Sequence, residues 1–523
     1  MATRTQPDVQ PISIQTQGWN GGVNIRDAVS QLQPNEMKVS ENGTLDEGGG
    51  WSKRLGCISN GTFGSSGDRI LSIYTFYRGT TNVPQVIIHT TAGIMYYTND
   101  AAANPIVWTQ IATGLSTTAR YSFETFNSKV YMTNGQDAYA SWNGTTYTTY
   151  ASAPKGRYIR LYKDTMWVAG VPGLDDRVYS SAAGDAETWP VSSWVDITHG
   201  DGDFVTCLGS DGLVLIVAKR QRVMTIYDPT TFANRVVDFE KGCESHFSMI
   251  QFEGDIYYLS RRGIAKFDNS GPAIIISMKL DPLFTMSILN LSALQSVYAY
   301  VYQNQVGWAL PEVGSTVPTV QIEYYPRLAP ITQFGSRLIG PWVFHRIPAG
   351  VFTRVRVGTT EYLYGAHTSA NKFLYLFAPT GTDDGTTFAA TMETAPLDFG
   401  VPQRTKYIRR IRFLGRGKFT VQLRREFQTA IYKTDPIDMT QTADLWSIGD
   451  LWGVGTWGPD SLLKEAIWNA DAYGRRFQMR FSDTFTDYGH KIIEVGSHES
   501  AINAGEWAVY LAVIEGDVLG LRS

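Results

Sequence analysis

The sequence predicts an all-β protein: a β-propeller of about seven blades followed by a C-terminal β-sandwich-like domain. Three observations carry this. The 523 residues hold 50 glycines and 13% aromatics but only 18% charged residues, a mixture of strand formers and turn formers. Seven hairpins follow one another, at Val86, Val130, Met166, Leu213, Ile256, Val306 and Tyr362. Each joins alternating or wholly apolar runs through a tight polar turn. Their starts are 36 to 56 residues apart, the size of a four-stranded blade. The first and last units are irregular, so six or eight blades also fit, and a set of ordinary β-sandwiches is the competing architecture.

Taken in order, residues 1–17 are rich in Gln, Thr and Pro and read as an extended arm. Residues 18–68 form an N-terminal hairpin and short-helix segment, in which Pro34-Asn35-Glu36 opens the helix with Pro early and an acid in the first turn. Residues 69–397 form the propeller-like domain. One blade cannot bury both its faces, and stacking blades around an axis solves that. Residues 398–523 form a C-terminal β domain, with strands available to a tube-forming part. It carries Trp446, Trp452, Trp457 and Trp468 and strand-like runs at Arg476–Ser482, Lys491–Val495 and Glu506–Val513.

The composition excludes whole classes. Disordered chains are poorer in aromatics and richer in charge. A net charge of −4 does not suit a globally basic nucleic-acid binder. Cys57, Cys207 and Cys243 are distant and odd in number, and read as buried small hydrophobes. No apolar run approaches the ~20 residues of a membrane span, and the N-terminus has no apolar signal core, so no membrane anchor or export signal is expected.

No catalytic, cofactor or metal site is expected. Gly453–Gly458 matches G-x-G-x-x-G, but in a loop-like, tryptophan-rich context rather than between strand and helix. Asp201 and Asp203 in HGDGDF, and Asp383-Asp384 in GTDDG, read as turn chemistry rather than calcium loops. The seven histidines form no metal-ligand spacing, and no G-x-S-x-G elbow occurs. Asn42, Asn60 and Asn143 each precede Gly-Thr and read as turns. Trp142 and Trp189 could stack on sugars, although blade packing is the better account of them. A glycan-binding or receptor-associated propeller is one alternative function, and a polysaccharide-degrading propeller enzyme another.

Residues 404–425 carry the strongest physical signal: Arg404, Lys406, Arg409, Arg410, Arg412, Arg416, Lys418, Arg424 and Arg425, with no acid among them. The rest of the chain holds 36 cations against 49 acids. On a strand, Arg410, Arg412, Arg416 and Lys418 share one parity, and Ile411 and Phe413 the other. A basic face beside a packed face is therefore expected. It suits a subunit interface facing acids of a neighbour, a charge-guarded edge strand, or a DNA-facing patch.

The N-terminal segment GGVNIRD…LQPNE…ENGTLDEGGGWSKRLG resembles the opening of tailed-phage virion proteins. The matching positions are Gly21, Gly22, Asn24, Pro34, Glu36, Asn42, Arg54 and Gly56. Arg177–Asp203, Phe239–Asp268 and the tryptophan-rich stretch are similar to the same group. Together they point to the tail nozzle and packaged-DNA stabilisation proteins of podophages. That resemblance implies a propeller-bearing structural subunit of the phage tail, located in the virion, with no enzymatic activity and no cofactor. It implies self-assembly into a ring, usually a hexamer, below the head-tail adaptor proteins, with tail fibres as further neighbours. The ring retains the genome and passes double-stranded DNA without sequence specificity.

Overall fold

The computed structural model describes residues 18–79, 83–268, 271–329, 339–398, 403, 405–426, 428–439, 464–484, 491–496 and 515–518. The chain divides into two compact units. One holds Cys57–Glu323 and Arg346–Ala378, the other Met1–Gly56, Tyr324–His345 and Pro379–Ser523.

The first unit is a seven-bladed β-propeller. Blade one is built from Ile70–Arg78, Val83–Thr90, Met95–Thr98 and Thr109–Ala112. Blades two to five span Ser122–Thr149, Tyr158–Asp196, Val205–Asp238 and Ile250–Ile275, each an antiparallel sheet of four consecutive strands. Blade six contributes Tyr298–Tyr302, Gln305–Leu310 and Val320–Tyr324. Blade seven has Ala349–Val357, Thr360–His367 and Lys372–Ala378, and takes its fourth strand, Gly56–Thr62, from the far end of the sequence. The seven hairpins of the sequence are the second and third strands of the seven blades.

The burial pattern explains why those second strands are so apolar. Leu215–Lys219 is buried at every position. Leu215 and Val217 enter a core shared with Trp167 and Val178 of blade three, while Ile216 and Ala218 enter one shared with Tyr258 and Ala265 of blade five. A middle blade thus faces two cores, and successive side chains alternate between them. Each fully buried Val, Leu or Ile contributes about 1.5–3 kcal/mol. The ring closes where the first strand of blade seven packs on that of blade one, with the Thr75 and Thr353 hydroxyls 2.7 Å apart. Cys57, Cys207 and Cys243 are buried and form no disulfide.

The second unit is also built of strands: β1 (Gly22–Val23), β2 (Glu36–Glu41), β3 (Gly43–Leu45), β4 (Trp51–Lys53), β5 (Trp342–His345), β6 (Thr382–Asp383), β7 (Thr386–Thr387), β8 (Ala390–Thr394), β9 (Lys406–Arg425), β10 (Ile431–Met439), β11 (Lys464–Gly474), β12 (Phe477–Asp483), β13 (Lys491–Gly496) and β14 (Glu515–Val518). The main ladder runs β5-β2-β8-β12-β9-β13-β4-β3.

β9 is the strand on which this unit is organised. Its first half, to Arg416, pairs with β11, β13 and β14. From Gly417 onward it pairs with β10 and β12. Gly417 sits at the change of partners with φ +86°, a left-handed conformation that glycine adopts without a Cβ penalty. A strand that bends from one set of partners to another is the device by which sandwich sheets are joined at a corner.

The local helix expected at Pro34-Asn35-Glu36 is not formed. Pro34 and Asn35 make a turn, and Glu36 starts β2, which pairs with β1 in parallel and with β8. Two long-range ladders outweigh the weak helix-start signal. The domain boundaries also move. The propeller unit begins at Cys57 rather than residue 69, and segments 324–345 and 379–397 belong to the second unit. The reason is the closure of the last blade, which needs a strand laid down before the first blade is built. Asn60-Gly61 lies inside that closing strand rather than in a turn. The arm at 1–17, Glu506–Val513, Gly453–Gly458, Trp446, Trp452 and Trp457 lie outside the described residues.

Replacing Gly417 by Ala forces a Cβ into the left-handed region. Gly417→Ala is expected to lower stability in urea unfolding by about 1–2 kcal/mol. Gly271→Ala, at a position with open space around it, is the control and should leave the midpoint unchanged.

Candidate functional site

The residues of the N-terminal motif converge in the second unit. Asn24 Oδ1 accepts the backbone N–H groups of Arg26 and Asp27, at 3.2 and 3.1 Å. Its Nδ2 donates to Glu36 Oε1 at 3.1 Å. Glu36 Oε2 accepts the Gln33 N–H at 2.9 Å, which holds Pro34 in the turn. Gly21 lies against the Asn35 carbonyl and the Glu36 side chain, and Gly22, at φ +66°, lies against the backbone of Pro341 and Trp342. A side chain at either glycine would force these segments apart.

Arg54 is the centre of the cluster. It is 1% exposed. Its guanidinium donates two hydrogen bonds to Asp383, at 2.8 and 2.5 Å, and one from Nε to Asn42 Oδ1 at 3.1 Å. It also lies 3.9 Å over the Phe388 ring. Asn42, at φ +57°, donates from Nδ2 to the Ala389 carbonyl at 2.8 Å. The Gly56 N–H donates to the Thr380 carbonyl at 2.7 Å, and a Cβ on Gly56 would collide with the Thr382 carbonyl. Asn42, Arg54 and Gly56 therefore clamp segment 42–56 to segment 380–389 of one unit, and Asn24 with Glu36 braces the preceding turn. Sequence reasoning placed Asp383 in a turn. Asp384 and Gly385 do turn, with φ +48° and +82°, but Asp383 is the counter-ion of Arg54. Separation by 329 residues left no local signal for that pair.

The basic run is β9, and its parity holds where its side chains are described. Ile411 and Phe413 are buried, Arg410 and Arg416 are half-buried, and Lys418 is exposed. Arg404 and the side chains of Arg409 and Arg412 lie outside the described residues. Lys406 departs from the expectation. A register shift between Ile408 and Arg410 moves it to the packed face, where it is 1% exposed and donates to the Arg475 carbonyl at 2.6 Å. Burial pushes its pKa down. Nor is the run without acids. Arg424 is 2.8 Å from Glu393 and Lys418 is 3.3 Å from Asp438, while Arg425 stacks 3.9 Å over Tyr432. Neighbouring strands of the same unit supply the neutralisation that the linear sequence lacks.

In the propeller, the HGDGDF turn does more than reverse the chain. Lys219, 1% exposed, donates to Asp176 Oδ1 and Asp201 Oδ1, both at 2.8 Å, and to the carbonyls of Thr198 and Asp203 at 3.1 and 3.3 Å. The ammonium occupies the centre of an oxygen cage, as a bound cation would. Burial works against the Asp201 charge, but the Lys219 hydrogen bond and the Asp203 N–H prevail and hold its carboxyl below the usual range.

Ser122 and His246 form a pairing of the type used in nucleophilic chemistry, with Oγ and Nε2 2.8 Å apart. The Leu208 N–H points at His246 Nδ1 at 3.4 Å, so the ring proton sits on Nε2 and is donated to the serine. A base for Ser122 would need the opposite tautomer. Burial lowers His246 to about 3 and His89 to about 4. Trp142 is 4% exposed, donates to Gln85 Oε1 at 3.1 Å and packs on Tyr97. Trp189 packs edge-on against Tyr139. Both rings take part in blade packing, Trp142 fully and Trp189 with part of its surface exposed.

No protein-family model matches the sequence, and no curated protein matches it. Solved structures of propeller proteins do. YCF48 bound to D1 peptide is 12% identical over 62% of this chain and 95% of its own, with a TM-score of 0.39. YCF48 from Cyanidioschyzon merolae is 10% identical over 61% and 98%, with a TM-score of 0.37. The extracellular domain of a one-component system from B. thetaiotaomicron is 10% identical over 90% of this chain and 63% of its own, with a TM-score of 0.40.

Lys219→Met leaves Asp176 and Asp201 facing each other with no ammonium between them. The variant should lose about 3–5 kcal/mol in urea unfolding. The histidines give a pH dependence of definite sign. Both are held neutral in the fold, so between about pH 4 and the ordinary imidazole value of 6.5 the unfolded chain binds more protons. Stability should be full above 6.5 and fall as pH drops toward 4. His246→Gln should flatten that slope in thermal melts across the same range.

Proposed function

We propose that the chain is a structural subunit of a tailed-phage virion, assembling as a ring that forms the nozzle of a short tail. In this role it retains the packaged genome and conducts double-stranded DNA at ejection. The observation that carries the proposal is that Gly21, Gly22, Asn24, Glu36, Asn42, Arg54 and Gly56 all hold the N-terminal segment in place within one unit. Asn42, Arg54 and Gly56 lock the N-terminal segment to segment 380–389, while Asn24 and Glu36 brace the turn before β2. Such a set is under joint structural constraint, as a shared architecture requires.

The second unit supports the same role. β9 has 20 residues, on the order of 65 Å of strand at ~3.3 Å per residue. It is paired along both edges on either side of its bend at Gly417, an arrangement suited to the wall of a tube. Arg410, Arg416 and Lys418 on its outer parity are suited to the acidic surface of an adjacent copy. The ring is expected to have six copies, beneath head-tail adaptor proteins.

The test is assembly. Negative-stain microscopy and sedimentation of the concentrated chain, alone and mixed with the adaptor proteins of its phage, should reveal rings. Monomers under both conditions would overturn the proposal. Charge reversal by Arg410→Glu with Arg416→Glu should block ring formation while the far-ultraviolet circular dichroism remains that of the parent chain. Intact rings from that variant would remove β9 from the interface.

A further inference from the structure

The propeller carries a polar cavity that the assembly role leaves unused. Its volume is about 610 Å³, within the range of small-molecule sites. Arg120, Arg157 and Glu244 line it. A second cavity of about 200 Å³ shares Thr118, Arg120 and Thr316 with the first and adds Arg69. Arg69, Arg120 and Arg157 each stand just before the innermost strand of blades one, two and three. The topology therefore gathers them at one mouth of the axis.

Arg69 and Arg120 are half-buried at this mouth and Arg157 is exposed there. Among the described residues none of them forms an ion pair, whereas Arg54 has Asp383 and Lys219 has two aspartates. Arg120 is anchored by one hydrogen bond, from Nη1 to the Ser296 carbonyl at 2.8 Å, and by the Tyr298 ring. Arg69 is close enough to lower its pKa further, after burial. Arg157 is seated by two glycines, since a Cβ on Gly135 or Gly170 would crowd its stem. Two like charges beside one cavity create a demand for an anion.

Glu244 sets a second requirement. It lies on the cavity wall, is 6% exposed, and its Oε1 has no hydrogen-bond partner. A buried carboxylate calls for donors. The rest of the wall mixes amides and hydroxyls, including Asn134, Gln136 and Ser292, with the rings of Tyr158 and Phe247, a lining that suits the hydroxyls and the apolar face of a sugar. We infer that this mouth binds a small acidic saccharide, its phosphate or carboxylate held by Arg120 with Arg69 and Arg157, and its hydroxyls donating toward Glu244.

Isothermal titration of the full chain tests this with four probes: glucose 6-phosphate, glucuronate, glucose and inorganic phosphate. Saturable binding is expected for one or both charged sugars, and which one distinguishes phosphate from carboxylate. Glucose should give no saturable heat. Arg120→Gln should weaken binding by about tenfold or more. Glu244→Gln should weaken the sugars while leaving inorganic phosphate unchanged. Thermal melting checks that Arg120→Gln folds; if it does not, Arg69→Gln with Arg157→Gln carries the test and should show the same loss. No saturable binding by either charged sugar overturns the inference. So does binding unchanged in the arginine variants, or inorganic phosphate binding as tightly as glucose 6-phosphate. None of these results depends on ring assembly.

Discussion

The constraint on which the propeller rests is that a four-stranded sheet with two apolar faces has nowhere to put both of them except between two other sheets. Leu215–Lys219 states it in five residues, alternate side chains entering the cores on either side. Repeating the arrangement gives a row of blades, and a row has two exposed ends. Closing it into a ring removes both, and the closing strand must come from the opposite end of the chain. Gly56–Thr62 fills that place. The position of this strand also explains why the second unit is discontinuous, since the chain has to leave that unit, build the propeller and return.

Where charge is buried, the molecule brings its counter-charge from a distance. Arg54 is neutralised by Asp383, and Lys219 by Asp176 and Asp201. Removing an ion from water costs several kcal/mol, and only a nearby opposite charge with good hydrogen-bond geometry offsets it. Each such pair fixes the register of two segments that local propensity leaves free. In the second unit the pair fastens the N-terminal motif. In the propeller it fastens the Asp201–Asp203 turn to the hairpin of blade four. The arginines at the mouth of the axis, half-buried or exposed, carry no such counter-charge among the described residues and keep their charge available to a ligand.

Strand β9 shows how a local pattern can be sound and still incomplete. Alternation correctly separates Ile411 and Phe413 from Arg410 and Arg416. The register shift at Ile408 to Arg410 then moves Lys406 to the other face, announced only by the opposite parity of the two apolar residues, Ile408 and Ile411. The charges expected to await a partner are met in part by Glu393 and Asp438. These lie on separate strands, one before and one after the basic run. The Pro34-Asn35-Glu36 turn is a related case, where a helix-start signal yields to two ladders that form only once β1 and β8 are in place.

The sequence by itself determined the blades. Period-two alternation, apolar second strands and glycine-rich turns act over distances of ten residues, and they mark all seven hairpins without reference to the rest of the chain. Tertiary structure alone decided the closing strand, the bend at Gly417, the Asp383 partner of Arg54 and the gathering of Arg69, Arg120 and Arg157 at one mouth. Each of these depends on contacts between residues tens to hundreds of positions apart. Composition and spacing carry no information about such contacts, because the energy that selects them arises only when the folded chain brings the two groups out of water together.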